Sequence, residues 1–257
     1  MCRHLAYLGP SRSLASLLHD ADHSLEAQSH HPRHQEPGAR NADGWGVGWW
    51  DRSLRPEPAL FRSAAPIWTD RSFRSVAEVA RATAIVAAAR RATPPLPIVE
   101  TGNAPFASGP WLFSLNGFVS GFRGGIGERL YRAVTPRRAD GIDGTHDSQV
   151  LFARLLDRLD AGASSAEAMT GVLSDVLAAG EGKLNLLLSD GLAIVATSWQ
   201  NSLFSLADSG LASGGVLLAS EPLDDDPAWA RVPDGSLVEA GGTTVTVTPL
   251  ERPGGPT

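Results

Sequence analysis

The stretch DSQVLFARLLDRL at residues 147–159 is where the chain divides. Leu151, Leu155 and Leu159 recur every four residues, with Phe152 and Leu156 beside them, so one face of a helix is apolar. A second helix is expected over 165–178, ending near Gly180. Upstream, 3–8 reads as an opening strand and 14–19 as a short helix. Residues 45–50 and 59–62 form a strand pair around a turn carrying Pro56 and Pro58, and 71–81 has helical character. An apolar strand over 84–90 runs into a proline-rich loop at 93–97, and 111–116 is a strand closed by Gly117. Downstream, strands are expected at 184–189, 192–197, 203–206, 216–220, 236–239 and 243–248, with Asp190-Gly191 as a hairpin turn. Strands, two central helices, then more strands predict an α+β fold of sheets packed face to face with helices outside. One domain is expected over 1–250. Residues 251–257 carry two prolines and two glycines and are expected to fray as a flexible tail.

The 257 residues are 42% hydrophobic and 19% charged, enough apolar material for a sizeable core. Net charge is -6, with the arginines scattered, so neither a nucleic acid nor a membrane surface is an expected partner. No apolar run reaches transmembrane length. The single cysteine excludes an internal disulfide and fits a reducing cytoplasm.

That cysteine is Cys2, directly behind Met1. If Met1 is removed, the chain starts with a thiol and an amine on one residue, and the amine can take the thiol's proton. The competing reading is a small apolar residue at the start of a strand. Three further segments carry chemistry. Arg90-Arg91-Ala92-Thr93 leaves an apolar strand, where an arginine fork can bind a carboxylate in two parallel bonds; a surface arginine is the commoner case. Asn116-Gly117 offers a side-chain amide and an exposed backbone N–H, the makings of an oxyanion hole, or an ordinary turn. Asp147, at a helix start, suits either a substrate ammonium or a helix cap.

Cys2, Arg-x-Ala-Thr, Asn-Gly and Asp-Ser, in this order and at these separations, resemble the class II glutamine amidotransferases, which are N-terminal nucleophile hydrolases. Asp43-Gly44-Trp45-Gly46 matches a segment common in their smaller members. The resemblance implies a four-layer αββα sandwich, cleavage of a γ-glutamyl amide and no cofactor. It makes Cys2 the nucleophile, with its own amine as base, and Asn116 with Gly117 the oxyanion hole. Arg90 then holds the glutamyl α-carboxylate and Asp147 the α-amine, with Thr93 grouped among the substrate-binding residues. Two departures stand out: Ala104 occupies a place where many relatives carry a histidine, and Leu115 replaces a frequent histidine before Asn-Gly.

Further segments, including 1–9, 41–48, 62–66 and 219–222, narrow the resemblance to free-standing hydrolases of a γ-glutamyl conjugate of a thio-histidine betaine sulfoxide. A second, ammonia-using domain is not expected. The expected partner is that small molecule, with self-association left open. Hydrolysis of other γ-glutamyl conjugates, a glutaminase subunit, and a non-catalytic γ-glutamyl binder are the alternatives. One of the seven tryptophans is expected to line the leaving-group pocket, where it could face a trimethylammonium. His19, His23, His30, His31 and His34 read as a solvated or substrate-facing group rather than a metal site. His4 is expected on the same strand face as Cys2.

Overall fold

The computed structural model describes residues 2–92, 96–142 and 145–251. The first part runs β1 (Arg3–Ser13), α1 (Ala15–Leu18), α2 (Leu25–His30), β2 (Trp45–Trp49), β3 (Ala59–Ser63), α3 (Arg71–Val79), β4 (Arg81–Ala89), β5 (Phe106–Ser108) and β6 (Trp111–Val119). Four helices follow: α4 (Ile126–Arg132), α5 (Pro136–Ala139), α6 (Asp147–Asp160) and α7 (Ser165–Ala179). The chain then returns to strands: β7 (Gly182–Ser189), β8 (Ile194–Ser198), β9 (Phe204–Ala207), β10 (Val216–Ala219), β11 (Ala230–Arg231), β12 (Ser236–Gly241) and β13 (Thr244–Pro249).

Two antiparallel sheets result. One has the order β11-β9-β10-β1-β4-β2-β3 and the other β13-β12-β8-β7-β6-β5. Three apolar layers hold them together. Ala6, Leu8, Val86, Leu112, Leu187 and Leu218 fill the space between the sheets. Leu5, Tyr7, Ile85 and Ala87 pack outward under α1, α2 and α3, while Phe113, Leu115 and Leu186 pack under α6 and α7. The architecture is the expected αββα sandwich, and its cause is strand alternation: each central strand is apolar on both faces and must be covered on both.

This alternation places the functional end of the molecule. On β1, Leu5 and Tyr7 belong to the outer layer and Ala6 and Leu8 to the inner one. His4 continues the inner series and bonds Ser114 on the opposite sheet, Nδ1 to Oγ, at 3.2 Å. Cys2, two residues before it, lies just ahead of the strand. The register Arg3↔Ala89 between β1 and β4 sets Cys2 across from Arg90, one step beyond the last paired residues.

Several element boundaries differ from expectation. β1 extends to Ser13 because its register with β4 shifts between Leu8 and Arg12 and then resumes. β8 starts at Ile194 because Asp190 Oδ1 accepts the N–H groups of Leu192 and Ala193 and holds them in the turn. α2, α4, α5 and β5 were not expected; each is seven residues or fewer, too short to show a period.

Candidate active site

One end of the inter-sheet space opens as a cleft of about 440 Å³, lined by Cys2, Arg90, Gly117 and Asp147 among others. Four of the six predicted site residues therefore line one cavity. Asn116, the neighbour of Gly117, is not among the lining residues, and Thr93 lies outside the described residues. Cys2 is half-buried.

Gly117 is fixed by sterics. Its φ is +153°, and a Cβ there would fall on the Lys183 carbonyl oxygen of the neighbouring strand. Only a residue without a side chain lets β6 and β7 pair as Gly117↔Leu184 at this point. Asn116, just before it, is fully buried. Its Nδ2 donates to Ser220 Oγ at 3.2 Å and its backbone oxygen accepts from Asn201 Nδ2 at 2.8 Å. Its Oδ1 has no hydrogen-bond partner among the described residues.

Arg90 continues β4 into the cleft wall. The Asp43-Gly44 pair holds its backbone from the side: Arg90 N–H donates to Gly44 O at 2.8 Å and Asp43 N–H to Arg90 O at 3.0 Å. Asp43 Oδ2 also accepts the Ala92 N–H at 2.8 Å. The guanidinium lies against Gly102, where a Cβ would come within 2.9 Å of Nη1. Nη1 donates weakly to Pro97 O at 3.3 Å and Asn103 Oδ1 at 3.4 Å.

Asp147 is the first residue of α6, and the cap position belongs to His146, which makes no side-chain cap bond. The Asp147 carboxylate instead accepts the Val119 N–H from β6 at 3.0 Å and the Ser148 N–H at 2.8 Å. Burial pushes its carboxyl above the usual range, against the opposing pull of those two donors and of the nearby Arg90 charge. Arg90, Arg91 and Arg123 supply positive charge to the cleft, and Asp147 the one carboxylate among its described lining residues. A cation and an anion in one cavity suit a ligand carrying both an α-carboxylate and an α-ammonium.

Residues 16–208 match the family described as Glutamine amidotransferases class-II. The chain belongs to that family. It is also 40% identical over 257 residues to the gamma-glutamyl-hercynylcysteine sulfoxide hydrolase of Mycobacterium tuberculosis (strain CDC 1551 / Oshkosh), covering 100% of both chains. The protein of the same name from Mycolicibacterium smegmatis is 40% identical over 250 residues, 97% of this chain and 100% of that one. A solved glutamine aminotransferase class-II domain protein from Silicibacter pomeroyi superposes with a TM-score of 0.71 at 22% identity, over 97% of this chain and 100% of that one; it bears on the fold alone.

In this class-II glutamine amidotransferase, burial and then the adjacent Arg3 charge lower the His4 pKa to about 3, which makes its ring a weak base. No tryptophan is among the residues that line this cleft. Among the described residues the aromatic wall is Phe106, Phe118 and Phe122. Trp45, Trp50 and Trp199 are buried in the core, where their large apolar area is worth more. The loop histidines take separate partners: His19 bonds Glu26 at 2.7 Å, His23 bonds Glu221 at 2.8 Å, and His30 packs on Trp68 with ring centroids 3.7 Å apart. Asn103, Asn201, Ser220 and Glu221 carry no motif of their own. The 219–222 segment carries Ser220 and Glu221, and the sequence alone assigns neither a role.

Proposed function

We propose that this protein hydrolyses the γ-glutamyl amide of γ-glutamyl-hercynylcysteine S-oxide, releasing glutamate and hercynylcysteine S-oxide in ergothioneine biosynthesis. The observation that carries the reading is the cleft in which Cys2, Arg90, Gly117 and Asp147 meet, in a chain that matches hydrolases of that name from end to end.

Arg90 takes the glutamyl α-carboxylate and Asp147 the α-ammonium, which sets the γ-carbonyl at Cys2. With Met1 removed, the Cys2 amine accepts the thiol proton; the neutral, weakly basic His4 leaves the amine as the group suited to that task. The thiolate adds to the carbonyl carbon. The oxyanion is held by the Gly117 N–H and by the Asn116 Nδ2 hydrogen that is not donated to Ser220. Collapse of the tetrahedral adduct breaks the C–N bond, and the amine's proton goes to the leaving nitrogen. Water, deprotonated by the same amine, then cleaves the thioester and frees glutamate. The nearest competing readings differ only in the leaving group. Glutamate release measured side by side from the sulfoxide conjugate, glutathione and glutamine tests the assignment. Preference for the sulfoxide conjugate in kcat/KM is expected, and equal or greater activity on glutamine or glutathione would overturn it.

A further inference from the structure

β10 ends at Ala219, and the next two residues pass beneath the start of β1. The second of them, Glu221, is fully buried. Four donors converge on its carboxylate, two to each oxygen. Oε1 accepts from Arg3 Nη1 at 2.5 Å and the His34 N–H at 2.9 Å. Oε2 accepts from His23 Nε2 at 2.8 Å and the Arg33 N–H at 2.7 Å. A carboxylate offers about four lone-pair directions, and all are used. Burial alone would disfavour the charge. The His23 bond, the Arg3 charge and the two backbone donors outweigh it and hold the carboxyl at about 2.

The segments tied to this carboxylate are the two that hold the nucleophile. Arg3 Nε donates to the Cys2 carbonyl at 2.7 Å. Gln35, next to His34, donates to the same carbonyl from Nε2 at 3.3 Å, and its Oε1 accepts from Asn41 Nδ2 at 3.1 Å. Cys2 itself lies outside β1 and has no strand partner. A chain terminus without such ties frays.

We propose that Glu221 is the positioning residue for the Cys2 nucleophile. It fixes Arg3 and the 33–35 segment together, and both then clamp the Cys2 carbonyl so that the thiol and amine face the cleft. The proposal rests on Cys2 being the nucleophile. Glu221 does not touch the substrate; it acts through Arg3 and Gln35.

The test is kinetic. Glu221→Gln keeps the shape, removes the charge and turns one acceptor into a donor facing other donors. A displacement of the reacting group by about 1 Å costs about a hundredfold, so kcat for glutamate release is expected to fall by about that factor with KM within about twofold. The rate of Cys2 alkylation by iodoacetamide in the folded protein should fall in parallel. Glu221→Asp should recover part of the kcat. If Glu221→Gln does not fold, Gln35→Ala carries the test: losing one hydrogen bond to the Cys2 carbonyl should lower kcat by about tenfold at constant KM. Cys2→Ala separates the two layers. Full activity in Cys2→Ala removes the nucleophile reading itself. An inactive Cys2→Ala beside a folded Glu221→Gln or Gln35→Ala with wild-type kcat, or with a change confined to KM, overturns the positioning role alone.

Discussion

Gly117→Ala perturbs the site at its stiffest point. The backbone there has φ of +153°, a region that L side chains rarely enter, and the added methyl would overlap the Lys183 carbonyl oxygen. Lys183 belongs to β7, whose Leu184 pairs with Gly117, so neither strand yields without the other. Relief requires β6 to move away from β7 locally, by at least about 1.3 Å (3.0 minus 1.7), which in the proposed mechanism takes the residue-117 N–H from the position where the γ-carbonyl oxygen becomes charged. Losing one such donor lowers kcat by about 10²–10³-fold, or about 3–4 kcal/mol. The strain adds a stability cost of about 1–3 kcal/mol. Substrate affinity should change little, because the proposed mechanism has Arg90 and Asp147 grip the other end of the glutamyl group. The assay is steady-state glutamate release with the sulfoxide conjugate, alongside a thermal melt that establishes the folded fraction. A folded Gly117→Ala enzyme with wild-type kcat would refute the role given to this N–H. A loss confined to KM would place the residue in substrate binding instead.

Two further outcomes follow from the same geometry. Arg90→Lys keeps the charge but loses the planar fork, so KM should rise by about ten- to a hundredfold while kcat changes less; an unchanged KM would remove Arg90 from carboxylate recognition. Asp147 binds an ammonium only when ionised, and burial raises its pKa. In a Cys2→Ala protein, which binds without turnover, affinity for the conjugate should fall as pH drops through a midpoint above the ordinary aspartate value. The loss comes on the acid side because protonation neutralises the carboxylate. Calorimetric Kd values that stay flat down to the ordinary aspartate range would contradict this.

The parts of the site that were readable in advance are those governed by periodicity or by an unusual residue. The four-residue leucine spacing locates α6, and the apolar run before Arg90 locates β4. Cys2 is conspicuous as a lone thiol at the chain start. Gly117 was singled out, but the reason only a glycine fits lies in the Lys183 carbonyl, which is 66 residues away along the chain (183 minus 117). Glu221 was unreadable for the same reason. Its meaning depends on Arg3, 218 residues distant, and on two backbone N–H groups that carry no sequence signal. Asp147 sits where a helix cap is expected, but its carboxylate bridges α6 to β6.

The account depends on the Cys2 amine being free to move the thiol's proton. Two forms of the chain, one beginning at Cys2 and one retaining Met1, can be compared by intact-mass detection of the glutamyl-thioester and by glutamate release. The form beginning at Cys2 should trap the thioester and turn over, and the form retaining Met1 should do neither. Turnover at an undiminished rate by a chain whose Cys2 nitrogen is locked in a peptide bond would contradict the mechanism.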